Sequence, residues 1–551
     1  MSGSKKLKVF VLLFILILES LTACAKPGKK DSNQDIVTES KVTSKQEVDA
    51  ESKEGKEGKK MQSSRILEEE LKSYFIKMPL SDTMKVIEHN NPLITQRLGA
   101  DPYAIVYNGR VYIYMTGDVV EYDADGKGKA NSYGKIDTLN VISSSDLVNW
   151  TDHGKIYAAG RRGAAKWGNN SWAPAVAYKK IDGKDKFFIY FANGGNGIGV
   201  LTSDSPTGPF EDPLGCALVS RDTPNCSSVA WLFDPAVFVD QDGKAYLYFG
   251  GGIPEGKTAD PGTARVVQLG EDMISLAMDP VRIDVPYLFE DSGINRIGDT
   301  YYYSYCTNWE VDPKDAKSLG INSAQIAYMT SSNPFGPFTL KGSILRNPGD
   351  FFGCYGNNHH CIFTFKDQWY ITYHTQILEE RLGISGGYRC THIDPVTIDE
   401  NGSIKEIQAT ETGVNQVEYL NPYIKNEAET MATMGGIDTA QLKKSTSETG
   451  NIVVTDINSG DWIAVKGVDF GANPAQTFTA TVKPSSSEMG AVQIRLDGLS
   501  GKVIGYLKIE SEDTNDTMDV TTELIEGITG IHDLYFVFHG EGYQFDSWMF
   551  K

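Results

Sequence analysis

The stretch "WLFDPAVFVDQDGKAYLYFGG" at residues 231–251 places a charged residue, Asp234, between a phenylalanine and a proline at the start of an apolar segment. The segments "AVFV" and "AYLYF" flank the polar turn "DQDGK", a pattern that predicts two β-strands joined as a hairpin. Strands this apolar belong to a core, where an unpaired carboxylate is costly. The role of Asp234 therefore depends on the architecture that contains the hairpin.

The hairpin pattern occurs five times along the chain. The repeats begin with "ADPYAIVYNGRVYIYMT" at residue 100, "WAPAVAYKKIDGKDKFFIYFANG" at 172, "FDPAVFVDQDGKAYLYFGG" at 233, "FEDSGINRIGDTYYYSYCTN" at 289 and "HHCIFTFKDQWYITYHTQ" at 359. Second hairpins are visible in "VISSSDLVNWTDHG", "VLTSDSPTGPFEDP" and "YMTSSNPFGPFTLKG". Four strands per unit, at spacings of roughly 55 to 70 residues, are typical of propeller blades. The sequence predicts an all-β protein with a five-bladed β-propeller.

This architecture explains the charge at the start of the strand. The innermost strand of each blade lines the central channel, so residues that begin these strands converge at one end of the axis. Asp101 in the first repeat and Glu290 in the fourth take the place that Asp234 takes in the third. Asp-Pro also begins turns elsewhere in the chain, so the matching place in the repeat singles these residues out, and the alternative is a purely structural role.

Three converging carboxyl groups suit the cleavage of a glycosidic bond. In an inverting mechanism one carboxylate activates a water molecule while a protonated carboxyl group donates to the departing oxygen. A third carboxylate beside the acid raises the pKa of that acid, because like charges disfavour a second ionisation. The reaction requires no cofactor.

The five repeats, with "SWAPAVAY" and "GNNHHCIFTF", resemble glycoside hydrolase family 43, and in particular its arabinoxylan arabinofuranohydrolases, from about residue 90 to the C-terminus. The resemblance implies release of α-L-arabinofuranosyl side chains from arabinoxylan with inversion. It implies Asp101 as general base, Glu290 as general acid and Asp234 as the residue that tunes that acid. A β-xylosidase or an arabinanase of the same family is the alternative. A non-catalytic carbohydrate-binding surface lipoprotein would lack at least one of these carboxylates.

The resemblance also implies roles for four further residues. Trp172 would stack on the sugar or pack between blades, and Asn357 and Arg389 would bind sugar hydroxyl groups. A guanidinium near Asp101 would also keep that carboxylate ionised. His359 matches a histidine that lies beside a central calcium ion in many relatives, and the alternative is a plain hydrogen-bonded histidine.

A new pattern begins near residue 421, where strand-rich segments with glycine turns predict a β-sandwich of the jelly-roll type. The order "EAET", "GDWI", "IRLD", "HDLYFVF" and "FDSW" resembles carbohydrate-binding module family 6. The resemblance implies a structural calcium ion held by Glu427, Glu429 and Asp546. Thr517 and either Val454 or Thr455 stand where that family places stacking aromatic residues, so sugar binding there is doubtful, although Gln544 could supply a polar contact.

The N-terminal segment predicts export. A lysine-bearing start, an apolar run and small residues indicate a signal peptide over residues 1–24, and "LTAC" resembles a lipoprotein box with Cys24 as the lipid-bearing residue. We expect an extracellular, cell-surface lipoprotein anchored to a membrane, or a secreted protein as the alternative. The polar stretch over residues 25–77 predicts a disordered linker, followed by the propeller over residues 78–420 and the module over residues 421–551.

The net charge limits the kinds of partner that the protein is expected to bind. The formal net charge of −20 provides no basic face, which argues against nucleic-acid binding. Plant cell-wall polysaccharide is the expected partner, and a monomer is expected. Cys216 and Cys226 flank one loop and would form a disulfide bond or remain thiols.

Overall fold

The structure is a computed structural model that describes residues 68–444, 447–485, 489–511 and 513–551. The predicted signal peptide, Cys24 and most of the predicted linker lie outside these residues. All the described residues belong to one compact unit. None of the described helices combines the length and apolar composition needed to cross a bilayer.

Five antiparallel sheets form the predicted five-bladed propeller, and their first strands begin at or within three residues of the predicted repeat starts. The first blade contains β1 (Ala100–Tyr107), β2 (Arg110–Thr116), β3 (Thr138–Ser144) and β4 (Trp150–Tyr157). The second contains β5 (Trp172–Ile181), β6 (Lys184–Ala192) and β7 (Ile198–Ser203). The third contains β8 (Ala236–Val239), β9 (Ala245–Phe249), β10 (Arg265–Gln268) and β11 (Val281–Arg282).

The fourth blade contains β12 (Leu288–Ile297), β13 (Thr300–Thr307), β14 (Ile326–Ser331) and β15 (Thr339–Leu345), and the fifth contains β16 (His360–Phe365), β17 (Gln368–Thr375) and β18 (Cys390–Val396). Four short helices accompany them: α1 at residues 68–75, α2 (Pro313–Leu319), α3 (Gly349–Phe352) and α4 (Ile377–Arg381).

The expectation of four strands in every blade is wrong for the second and fifth blades, which have three each. In the second blade the predicted hairpin over "VLTSDSPTGPFEDP" shrinks to a single bridge between Thr202 and Glu211. Prolines 206, 209 and 213 lack the N–H groups that a longer ladder needs. In the fifth blade the segment 91–99 lies along the edge of β18, where Leu93 N donates to Thr391 O and Gly99 N to Arg389 O, both at 2.9 Å. This segment closes the ring between the last blade and the first.

Tyrosines at equivalent places in the second strands join successive blades. Tyr114, Tyr190 and Tyr248 are fully buried, and each hydroxyl donates to a carbonyl in the outer loop of the next blade. The acceptors are Pro206 O at 2.5 Å, Met273 O at 2.7 Å and Pro334 O at 2.7 Å, respectively. Each such bond contributes about 1 kcal/mol beyond the burial of the ring. The abundance of tyrosine thus serves inter-blade packing.

The first strands begin with a shared backbone distortion. Asp101, Ala173, Asp234 and Asp291 have φ values of 48°, 40°, 48° and 67°, and β1, β5 and β12 have register shifts at the same points. The residue equivalent to Asp101 and Asp234 is therefore Asp291, and the predicted equivalence of Glu290 is wrong by one position. Because successive residues of a strand point in different directions, Glu290 and Asp291 reach different surroundings.

Two packed sheets form the C-terminal β-sandwich. One contains, in spatial order, β22 (Asp438–Lys444), β23 (Ser447–Thr455), β30 (Gln544–Phe550), β25 (Ala475–Lys483) and β28 (Met518–Ile528), with β19 (Asn426–Glu427) paired to β30. The other contains β21 (Thr433–Gly435), β24 (Trp462–Asp469), β29 (Ile531–His539), β26 (Gly490–Leu496) and β27 (Lys502–Ile509).

The sandwich is tied directly to the first blade. Strand β20 (Thr430–Met431) pairs with β4 and so extends the sheet of that blade. Behind this pairing the buried Asp152 carboxylate accepts from Arg97 Nε at 2.9 Å and from Thr439 Oγ1 at 2.5 Å. Arg97 and Asp152 both belong to the propeller, and Thr439 of the sandwich joins them by donating to Asp152 and by accepting from Arg97 Nη2 through its carbonyl at 2.9 Å. These bonds and the β20–β4 pairing link the two domains directly.

Helix α1 corrects the predicted extent of the disordered linker, since residues 68–75 are ordered on the sandwich. Leu71 and Phe75 are buried in a cluster with Trp462, and the Tyr74 ring stacks on His539 with centroids 4.6 Å apart. Leu71, Tyr74 and Phe75 lie three and four residues apart and so form one apolar face of the described helix, which the sandwich covers.

Candidate active site

One cavity of about 430 Å³ lies at the end of the propeller axis where the first strands begin. Its lining includes all three predicted carboxylates together with the four other propeller residues singled out from the sequence: Asp101, Asp234, Glu290, Trp172, Asn357, His359 and Arg389. Residues separated by almost 300 positions in the chain thus share one site, as radial symmetry requires.

Asp101 is surrounded by donors. Its carboxylate accepts from Arg389 Nη1 at 2.9 Å and from Thr116 Oγ1 at 2.7 Å, and His374 Nδ1 lies 3.2 Å from Oδ1. Burial alone would raise the pKa of Asp101, but the Arg389 guanidinium and the contact with His374 outweigh burial and hold this pKa well below its ordinary value. Asp101 is therefore ionised at neutral pH.

The pKa values of Asp234 and Glu290 shift in the opposite direction, above their ordinary values. Burial, followed by the neighbouring carboxylates, raises the pKa of Glu290 well above its ordinary value. Asp234 accepts from Asp291 N at 3.0 Å, whereas Glu290 accepts only a long bond from Asn358 N at 3.4 Å among the contacts of the described residues. Burial also raises the pKa of Asp234 well above its ordinary value, although the Asp291 donor opposes this shift, whereas Glu290 has no comparable donor and retains its proton.

A second buried network lies behind the cavity, centred on Asp291, which the sequence analysis missed. Asp291 Oδ1 is 3.2 Å from His359 Nε2, Asp291 Oδ2 is 2.5 Å from His360 Nδ1, and His360 Nε2 is 2.7 Å from Ser304 Oγ. When "ADP", "FDP" and "EDS" are aligned on their aspartates, which all have positive φ, Asp291 is the equivalent of Asp101 and Asp234. The hydrogen bonds of this network hold Asp291 and His360 in place beside His359.

His359 faces carboxylates on both sides of its ring, with Nδ1 3.7 Å from both Asp101 and Asp234. Nε2 lies 3.2 Å from Asp291 Oδ1, a contact without hydrogen-bond geometry, and calcium prefers oxygen donors to an imidazole nitrogen. The surroundings of His359 therefore give no support to the expected central calcium ion.

Aromatic rings line much of the cavity, and one of them, Tyr133, lies against the Arg389 guanidinium. Trp172 donates through Nε1 to Tyr133 O at 3.0 Å, and Trp231 makes edge contacts with Phe233 and Phe289, each with centroids 5.3 Å apart. Tyr133 was missed because it lies in the long loop between β2 and β3, outside the strand repeat. The sequence could have indicated three further aromatic residues of the site, because they lie just before Asp234 and Glu290 in the chain: Trp231, Phe233 and Phe289.

Two of the three sandwich residues predicted to hold calcium, Glu427 and Glu429, line a larger cavity of about 820 Å³ beside the first blade, whereas Asp546 is not part of its lining. Glu429 is 4% exposed, and its Oε2 has no hydrogen-bond partner among the described residues. Burial raises the pKa of Glu429 well above its ordinary value. Lys425 Nζ lies 3.1 Å from Glu427 and 4.0 Å from Asp546. A buried carboxylate oxygen without a donor, near two other carboxylates, fits a hard cation, although no group of three acidic, His or Cys side chains in the described ranges has metal-binding geometry.

The loop end of the sandwich carries a cavity of about 300 Å³ that is lined by polar and basic residues, including Lys443, Thr455, Lys483 and Gln544. Its lining within the described residues contains no aromatic ring, in agreement with the departure noted at Thr455. Cys216 and Cys226 are both unpaired, Cys216 exposed and Cys226 buried.

Comparison with known proteins identifies the family. Residues 89–404 match the glycosyl hydrolases family 43, and residues 427–551 match the carbohydrate binding module (family 6). The chain is 48% identical over 481 residues to an arabinoxylan arabinofuranohydrolase of Paenibacillus polymyxa, covering 85% of this chain and 75% of that protein. It is 49% identical over 483 residues to an arabinoxylan arabinofuranohydrolase of Bacillus subtilis (strain 168), covering 85% of this chain and 93% of that protein.

A solved structure gives the same result. The crystal structure of a glycoside hydrolase family 43 arabinoxylan arabinofuranohydrolase from Bacillus subtilis in complex with cellotetraose has a TM-score of 0.81 and 48% identity, covering 85% of this chain and 99% of that chain. The resemblance inferred from the motifs is confirmed, and the chain belongs to glycoside hydrolase family 43, as a propeller glycosidase that carries a family 6 carbohydrate-binding module.

Proposed function

We propose that this protein releases α-L-arabinofuranosyl side chains from arabinoxylan with inversion at the anomeric carbon. The proposal rests on one observation: two carboxyl groups in the same cavity differ in protonation state, with Asp101 ionised and Glu290 protonated. The activity for which the relatives at 48–49% identity are named supports arabinoxylan as the substrate.

Each carboxyl group has one task in this reaction. Asp101 takes a proton from a water molecule as that water attacks the anomeric carbon, and Glu290 gives its proton to the xylose oxygen as the glycosidic bond breaks. Asp234, beside Glu290, raises the pKa of that acid and so helps to keep the proton on Glu290 until the transition state needs it. The cycle ends when Glu290 regains a proton from solvent and Asp101 loses one.

The walls of the cavity orient the sugar. Arg389 and Asn357 present nitrogen donors and a side-chain amide for hydroxyl groups, and Trp172 presents an apolar face beside them. A cavity with one polar wall and one aromatic wall suits a sugar ring, which has polar edges and apolar faces.

Replacing the acid tests the function directly. Glu290→Gln should preserve the fold and lower the rate of arabinose release from wheat arabinoxylan by about 10²–10⁴-fold, because the amide cannot protonate the leaving oxygen. Product analysis on arabinoxylan, debranched arabinan and xylo-oligosaccharides, with proton NMR of the first-formed anomer, measures both substrate and stereochemistry. Glu310→Gln, an exposed carboxylate in the same blade, should retain the wild-type rate.

Two outcomes would contradict this assignment. Free xylose from xylo-oligosaccharides as the main product would favour the β-xylosidase alternative, and products from debranched arabinan would favour an arabinanase. Near wild-type turnover by Glu290→Gln would remove Glu290 from the role of acid.

The pH dependence tests the role of Asp234. Removing a neighbouring negative charge lowers the pKa of Glu290, so Glu290 in Asp234→Asn loses its proton at a lower pH than in the wild type. The alkaline limb of the pH profile of kcat/KM should therefore move to lower pH, together with a loss of rate. An alkaline limb that stays in place or moves to higher pH would show that Asp234 does not tune the acid.

We also propose that the sandwich binds one calcium ion through Glu427, Glu429 and Asp546, as structural support without a step in catalysis. Calcium should stabilise the folded protein by about 2–3 kcal/mol at a concentration near 100 times its Kd. Thermal unfolding with and without calcium measures this gain, which Glu429→Gln should abolish and the exposed Glu541→Gln should leave unchanged. An unfolding temperature that does not respond to calcium in the wild type would refute the site.

The location of the enzyme is a further proposal, which rests on the N-terminal sequence. A basic start, an apolar run and the "LTAC" segment favour export and lipid attachment at Cys24, with the polar segment after it as a tether. In a bacterial host, the wild type should take up labelled fatty acid and fractionate with membranes, whereas Cys24→Ser should do neither. Release of the unmodified wild type into the medium would indicate the secreted alternative.

A further inference from the structure

Asp118 is a buried carboxylate that the mechanism above does not use. It follows β2 in the long loop between β2 and β3, and its side chain is completely buried behind Arg389. It does not line the sugar cavity. A buried carboxylate is costly unless it is paired, so its partner indicates its purpose.

The partner is Arg389, which Asp118 holds from two directions. Asp118 Oδ2 accepts from Arg389 Nε and from the backbone N of Arg389, both at 3.0 Å, and Oδ1 accepts from Nη2 at 2.8 Å. This bidentate arrangement fixes both the plane of the guanidinium and the strand end that carries it, since β18 begins at the next residue.

The fixed plane determines what Arg389 can reach in the cavity. Nη1 donates to Asp101 Oδ1 at 2.9 Å, and the guanidinium lies over the Tyr133 ring with its carbon 5.2 Å from the centroid. An arginine side chain has five N–H donors. The contacts to Asp118 and Asp101 leave one N–H on Nη1 and one on Nη2 for sugar hydroxyl groups.

We propose that Asp118 is a positioning residue for the hydrolytic reaction: it sets the plane of Arg389 and thereby keeps one donor on the base Asp101 and directs the remaining donors into the sugar cavity. This inference rests on the proposed function and assigns a role outside the three carboxylates. Asp118 touches neither substrate nor the reacting atoms, so its effect must pass through Arg389.

A double-mutant cycle tests this dependence. Asp118→Asn keeps the shape of the side chain but loses its charge, so kcat/KM for an aryl α-L-arabinofuranoside should fall about 10- to 100-fold, as expected for a misplaced catalytic partner. In an Arg389→Gln background the same change should cost less than about threefold, because the group through which Asp118 acts is already gone.

Glu121→Gln is the matched control. Glu121 is a buried carboxylate of the same loop that binds Ser132 and Lys135 and not Arg389. Its replacement should change kcat/KM by less than about threefold in both backgrounds, even where it loosens the loop. Rates are taken per mole of folded protein, with folding followed by circular dichroism.

The cycle remains decisive if one variant is unstable. If Asp118→Asn fails to fold, the test compares Arg389→Gln with the double variant, which retains no buried charge of the pair. We expect these two variants to have equal kcat/KM. Multiplicative losses in the cycle, a further tenfold loss in the double variant, or an equal loss in Glu121→Gln would each overturn the proposal. The cycle uses any aryl glycoside that the wild type hydrolyses, so products from arabinoxylan decide the proposed function separately.

Discussion

A guanidinium held between two buried carboxylates joins the last propeller blade to the first. Arg389 immediately precedes β18, Asp101 begins β1 and Asp118 follows β2, so the same three side chains close the ring and define the base. The pairing of segment 91–99 with β18 acts at the same seam. The position of the proposed base, Asp101, therefore depends on correct closure of the propeller.

The chemistry of the site follows from unequal surroundings of similar groups. Asp101, Asp234 and Glu290 are all almost completely buried, and burial alone would raise every one of their pKa values. Arg389 reverses this tendency for Asp101, whereas Glu290 receives only a weak donor. Two carboxyl groups of the same type thus have opposite pKa shifts, because Arg389 contacts Asp101 and not Glu290, and this difference underlies the proposed roles of base and acid.

The sandwich and the propeller pack together in one compact unit. Strand β20 extends the first blade, Thr439 bonds to Arg97 and Asp152 of the propeller, and helix α1 covers the opposite sheet of the sandwich. The polar lining of the loop cavity, which includes two lysines, favours a supporting role over stacking on sugar rings. Family 6 modules that bind sugars by stacking would need aromatic residues where this chain has Thr455 and Thr517.

The sequence by itself determined the five hairpin repeats, the sandwich and the three carboxylates, because strand alternation and turn residues are local and the repeat maps equivalent positions onto one axis. The sequence aligned Glu290 with Asp101 and Asp234, whereas Asp291 is the equivalent residue in the structure. A bulge causes this difference, because it shifts the register of a strand without changing its composition. Asp118, Tyr133 and Asp291 emerged only from the tertiary structure. Their roles depend on contacts with residues of another blade, up to 271 positions away in the case of Asp118 and Arg389, and burial and charge at such contacts, which set the ionisation of the site, exist only after the ring has closed.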